Sequence, residues 1–327
     1  MIITRTPVRI SMGGGGTDLQ SYYSKYGGFL IGATINKYIY ITLTKMFEGN
    51  LQVKYSKTET VNHVDEIQHP TVRESLKLTK ISNGIELTSI AEVPSNSGLG
   101  TSSSFLVGLL RALHAYKNEH VTNFEIAEEA CKIEIDILKE PIGKQDQYMA
   151  SFGGLQCLEF DRQGYVKITP LKVTHDVVEE LEKNVVLFYT GIKRASSYVL
   201  SEQNKSMQED NEKAVECIHE LKEIAYKTKR YLEEGNVHAF GEMLDLHWNI
   251  KKKLSNKVSS NFIDDCYALA RKNGAIGGKI MGAGGGGFFM FYCSERKDNL
   301  RKALTNAGLK EMHFRFDFEG SKVLLDI

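Results

Sequence analysis

The chain has 327 residues, enough for one large or two ordinary domains with apolar cores, and two are expected. Its 41 Lys and Arg balance 41 Asp and Glu, so no net field recommends nucleic acid or an anionic membrane as a partner. No apolar run approaches the roughly 20 residues of a membrane span, and the cysteines form no CxxC pair, which points to a soluble protein of the reducing cytoplasm.

Residues 2–12 read as a strand interrupted by Pro7, with Arg9 between Val8 and Ile10. If that strand is buried, the guanidinium needs an anionic partner; a surface strand would leave it solvated. The tetraglycine Gly13 to Gly16 forbids regular structure and permits close backbone approach. Asp18 precedes a short helix over 19–26, where it reads either as an N-cap or as an acceptor for sugar hydroxyls. Residues 29–43 predict a strand or strand pair, and 48–92 further strands with a small helix.

The segment Pro94 to Ser104, PSNSGLGTSSS, leads from an extended stretch (85–93) into an apolar helix over 105–116. The first turn of a helix offers unpaired N–H groups and the positive end of the dipole, so an anion sits well there. Gly98 and Gly100 let the backbone approach, and Thr101, Ser102 and Ser103 add hydroxyls. A capped helix after a flexible turn is the plain alternative.

A second helix is predicted over 125–140, with Thr122 or Asn123 as its cap. At about 100° per residue Ile126, Ala130, Ile133 and Ile137 share one face and most charges the other. Glu134 breaks the pattern by projecting among apolar residues, so it must be protonated, paired, metal-bound or bent out to solvent. In the following EPIGKQDQYMASFGG, Pro141 stops the helix and Gly153 and Gly154 end a short one that begins near Asp146. Asp146 there either favours the helix dipole or, beside Lys144 and one helix after Glu134, takes a hydroxyl proton.

Residues 155–160 and 165–168 suggest a hairpin closing the first domain, and an apolar strand over 184–190 opens the second. Helices are expected over 195–211, 212–234, 237–253 and 260–273, with His247 and Trp248 as core-edge residues and Lys251 to Lys253 as a solvated face. Gly282, Gly284 and Gly287 formally match GxGxxG, but the motif feeds the strand 288–293 instead of opening a helix, so a dinucleotide site is not supported. No Walker or protein-kinase signature occurs.

The ordered trio PVRIS-GGGGTDL, PSNSGLGTSSS and GAGGGG resembles the three motifs of the GHMP small-molecule kinases. Within that superfamily, GGGTDL and EPIGKQDQYMASFGG are similar to bacterial D-glycero-D-manno-heptose 7-phosphate kinases, and L-fucose kinases share the first. The resemblance implies an α+β, two-domain GHMP kinase fold with the active site in the cleft between domains, residues 1–180 forming the N-terminal domain and 181–327 the C-terminal one. It implies ATP and Mg2+, with Pro94, Ser97, Gly98, Leu99, Gly100, Thr101, Ser102 and Ser103 around the triphosphate. Ser102 and Glu134 fall on the magnesium positions, Asp146 on the catalytic aspartate, and Arg9 on the basic residue beside the attacking hydroxyl.

Gly15, Gly16, Thr17 and Asp18 fall on the sugar-contacting segment of galactokinase-like members, which carry Glu-His where this chain has Gly15 and Gly16. The lost side chains leave room for a sugar larger than galactose. Lys144, Lys193 and Arg194 are the candidates for receiving a 7-phosphate. The implied activity is phosphorylation of D-glycero-D-manno-heptose 7-phosphate at its anomeric hydroxyl. The alternatives are a free-sugar kinase such as an L-fucose kinase, and a catalytically inactive sugar and ATP sensor. A homodimer is an expected assembly, with neither nucleic acid nor membrane as partner.

Overall fold

A computed structural model describes residues 1–193, 200–202, 204, 205, 207, 209 and 211–327. Among these, eight strands form a larger sheet in which β1 (Ile2–Gly13) and the 18-residue β2 (Gly28–Lys45) are the central antiparallel pair. Because β2 is so long, it serves two neighbours. Its first half pairs with β6 (Leu155–Phe160), whose other edge takes β7 (Val166–Pro170). Its second half pairs with β5 (Ile85–Ala91), followed by β3 (Leu51–Lys54) and β4 (Thr58–Val61).

The face of this sheet is covered by α3 (Thr101–Tyr116), which packs on β1 and β2 and is flanked by α2 (Pro70–Thr79), α4 (Asn123–Cys131) and α5 (Gln145–Phe152). Thr122 caps α4 reciprocally: its hydroxyl accepts from Glu125 N at 3.2 Å, while Glu125 accepts from Thr122 N at 2.7 Å. After Cys131 the helix widens into a π turn over Lys132–Ile137, with Leu138 N donating to Ile133 O, five residues back.

The second sheet is antiparallel in the order β11 (Lys310–Met312), β8 (Val185–Tyr189), β10 (Phe288–Tyr292), β9 (Gly277–Ile280). Phe188, Phe289 and Phe291 pack there against Trp248 of α8 (Val237–Leu254), Ile263 and Cys266 of α9 (Asn261–Lys272), and Leu300 and Leu304 of α10 (Lys297–Asn306). The preceding helix α7 (Glu212–Glu233) packs on α8 and also on β1 and β2. The helix expected over 195–211 falls largely outside the described residues.

The expected division at 180/181 fails for the last strand. β12 (Lys322–Asp326) returns to pair with β1, Ile2 opposite Asp326, so the carboxyl end completes the first sheet. Among the described residues the five cysteines are buried and unpaired, and no helix is long and apolar enough to cross a membrane.

Candidate active site

The Gly98 turn lies where both halves of the molecule meet. Gly98 and Gly100 have φ of +81° and +73°, a region that suits glycine. A Cβ on Gly98 would sit 2.6 Å from Met281 O, and one on Gly287 would sit 2.2 Å from Ser97 O. Only bare backbone fits, so the third glycine-rich segment packs directly on the second. Thr101, Ser102 and Ser103, which open α3 and whose N–H groups have no partner within the helix, line a cavity of about 350 Å³.

Asp146 enters this cavity from the first turn of α5. Arg9, buried in β1, holds it with two parallel bonds, Nε to Oδ1 and Nη2 to Oδ2, both 2.8 Å. The third guanidinium nitrogen, Nη1, donates to Gly98 O at 2.6 Å. A forked pair of this kind fixes orientation as well as charge. The anionic partner that a buried Arg9 required is therefore Asp146.

Glu134, 2% exposed, projects from the π turn into the same cavity. It accepts from Ser103 Oγ at 2.8 Å, Gln147 Nε2 at 2.6 Å and Ser102 Oγ at 3.2 Å. Burial pushes its carboxyl up to about 7, with repulsion from Asp146 adding to the rise and the three hydrogen bonds opposing it. Asp18 is also raised, by burial first and then by Asp146. Of its two readings the N-cap fails, since Asp18 does not cap α1 (Gln20–Tyr26) and accepts from Gly16 N at 3.1 Å and from Gln145 N, the first amide of α5, at 3.2 Å. Three acidic side chains thus share one cavity with three basic ones, His247 and Lys251 on α8 and Lys279 on β9.

The amino end of a helix, an Arg–Asp pair and a buried carboxylate around one cavity are the kinds of group a phosphotransferase site requires. Residues 62–154 match the GHMP kinases N terminal domain and residues 228–310 the GHMP kinases C terminal. Over 98% of its length, and 98% of the relative's, the chain is 35% identical to D-glycero-alpha-D-manno-heptose 7-phosphate kinase of Campylobacter jejuni. The chain is a GHMP kinase. GHMP kinases are ATP-dependent kinases.

The kinase also superposes on the crystal structure of a D-glycero-D-manno-heptose 1-phosphate kinase from Bacteroides thetaiotaomicron, with a TM-score of 0.84 and 27% identity over 100% of both chains. It is 26% identical over 92% of its length to L-fucokinase/L-fucose-1-P guanylyltransferase of Bacteroides fragilis, of which it covers 36%.

Of the residues singled out in the sequence, Arg9, Gly15, Gly16, Asp18, Gly98, Gly100, Thr101, Ser102, Ser103, Glu134 and Asp146 all line the cavity of the kinase. Others stand behind it. Thr17 is buried with its hydroxyl 2.7 Å from Gly14 O and 2.8 Å from Phe29 O, so it pins the tetraglycine turn. Leu99 lies in the core and Ser97 accepts from Phe288 N, while Pro94 does not line the cavity.

The proposed phosphate cations require correction. Lys144 points away from the cleft into a surface depression, donating to Glu128 Oε1 at 3.1 Å and Gly164 O at 3.0 Å, because it precedes α5 on the side opposite Asp146. Lys193 is exposed and outside the cavity, and Arg194 lies outside the described residues.

Lys251 contradicts its reading as part of a solvated run: it is 7% exposed and donates to Ile280 O at 3.3 Å and to Gly282 O. Rotating α8 by its helical period separates Lys251, four residues after buried His247, from Lys252 and Lys253. For Lys279 the signal was a lone charge among Gly277, Gly278, Ile280 and Met281, all of which are buried.

Proposed function

We propose that this GHMP kinase transfers the γ-phosphoryl group of ATP to the anomeric hydroxyl of D-glycero-D-manno-heptose 7-phosphate. The observation that carries the reading is the Arg9–Asp146 pair facing the Ser102–Glu134 pair across the amino end of α3. The sugar hydroxyl attacks phosphorus, its proton passes to the Asp146 carboxylate, and the bond from phosphorus to the bridging oxygen of ADP breaks. Arg9 keeps Asp146 aimed and spreads positive charge towards the transferred group, while the α3 amides stabilise the charge on the phosphate tail. Asp18 and the bare Gly15–Gly16 backbone border the acceptor side, where galactokinase-like side chains would narrow the site.

Ser102 and Glu134 fit a magnesium ion. They are hard oxygen donors 3.2 Å apart, and among the described residues no cation pairs with the buried Glu134 carboxylate. When bound, the ion supplies charge neutralisation at the phosphate oxygens.

Following ADP release against heptose 7-phosphate, L-fucose and galactose tests the assignment. The expected kcat/KM for heptose 7-phosphate exceeds the others by about 100-fold or more, the scale of discrimination when a substrate's polar group has its own receptor. Equal or better turnover of L-fucose would replace it with the free-sugar reading that the fucokinase relative favours.

A further inference from the structure

The basic wall of the cleft carries charge that the transfer step does not use. Lys279, in β9, is 2% exposed and lines the cavity. Among the described residues no carboxylate lies in ion-pair contact with it; its Nζ stands 3.5 Å from His247 Nε2. That ring is itself 2% exposed, and its Nδ1 has no partner. Lys251 Nζ spends two donors on the carbonyls of Ile280 and Gly282 and keeps a third.

Burial drives Lys279 well below the ordinary lysine range, with repulsion from Lys251 and Arg9 adding. Burial followed by repulsion from Arg9 brings Lys251 down to about 7. Arg9 adds to their repulsion, and Asp146, which it holds through two bonds, is already committed to it. Two buried lysines and a buried imidazole without an acid are costly in a folded protein unless an anion enters beside them.

We propose that Lys279, Lys251 and His247 form a receptor for a phosphomonoester carried by the acceptor sugar. The inference rests on the reading that the acceptor is already phosphorylated, and it assigns that phosphate to α8 and β9 in place of Lys144 and Lys193. An oxyanion at this wall has two sources, the acceptor's own ester or the phosphoryl group in transit. The nucleotide tail has the amino end of α3 and the Ser102–Glu134 pair to receive it, so the acceptor's ester is the group left without a receptor.

The test compares wild type with Lys279→Met and Lys251→Met on heptose 7-phosphate and on the same heptose without phosphate, varying ATP as well. Each variant is expected to raise KM for the phosphorylated sugar by about tenfold or more, leaving KM for ATP and turnover of the free heptose within about twofold. Lys279→Arg is expected to restore part of the loss. Thermal unfolding gives an independent readout: heptose 7-phosphate should raise the melting temperature of wild type and not of Lys279→Met.

A wild type that prefers the phosphorylated sugar, paired with variants that keep the preference, would overturn this inference alone. Equal loss of kcat on both sugars would do the same, by moving the lysines to the transferred phosphoryl. A wild type that uses both sugars equally would overturn the substrate reading and this inference with it.

Discussion

At the scale of single residues, the site is an arrangement of charges held out of water. Glu134 has the sharpest consequence. Its folded carboxyl titrates near 7 against about 4.5 unfolded, so between those values the native state holds a proton that the unfolded chain has released. The ligand-free protein should therefore lose stability as pH rises through this window, by about 3 kcal/mol at most. Glu134→Gln is expected to flatten that slope in melting curves taken from pH 4.5 to 7, and an unchanged slope would remove Glu134 as its source.

Asp146→Asn leaves the shape and removes the proton acceptor, so kcat should fall by about 100-fold or more while nucleotide affinity stays within a few-fold. A single-turnover assay with separate ATP titration distinguishes the two. Glu134 was legible in the sequence as a carboxylate projecting among Ala130, Cys131 and Ile137, which left it protonated, paired, metal-bound or bent out to solvent, and the structure keeps it inside. Lys251 was not, since one lysine of three in a row looks like its neighbours until the fold puts it beneath the Gly282 carbonyl.

Among elements, the two glycine-rich turns act by excluding side chains. Gly98→Ala must bear a left-handed backbone and a Cβ 2.6 Å from Met281 O, whereas Gly49→Ala, with φ +77°, meets nothing within 4 Å. The first is expected to lower stability by about 1–3 kcal/mol more than the second in denaturant titrations, and to weaken ATP binding as well. Equal costs would mean that conformation alone decides.

The α3–α4 seam has its own titrating clamp. His114 sits between Glu129, 2.7 Å from Nε2, and Glu119, 2.8 Å from Nδ1, and these bonds, that to Glu129 foremost, raise its basicity against the opposing effect of burial. With a folded value above the unfolded 6.5, its stabilisation is complete below about 6.5 and disappears as pH climbs through the raised value. His114→Gln should thus depress the melting temperature more at pH 6 than at pH 9. The ends of these helices could be read from Thr122, Pro141 and Gly153; the π turn could not, because six residues are too few for a period to declare itself. Ile137, expected on the buried face, is accordingly 41% exposed.

For the whole molecule, the decisive geometry is that residues far apart in sequence border one cleft. The ordered glycine motifs made the kinase architecture legible, and the apolar strands at 184–190 and 288–293 announced the second sheet. What local patterns could not carry was the return of β12 to β1, a pairing across the entire chain that leaves the first sheet incomplete without residues 322–326. Removing residues 321–327 is expected to lower the melting temperature and to impair nucleotide binding as well, since β1 carries Arg9.

We propose that the phosphate tail of ATP lodges where the Gly98 turn becomes α3. A crystal structure with magnesium and a non-hydrolysable ATP analogue tests it directly. The expected result has the β and γ phosphates on the amides of residues 101–103, the ion between Ser102 and Glu134, and Asp146 facing the terminal phosphate. A nucleotide bound elsewhere, with those amides and Glu134 left in water, would contradict it.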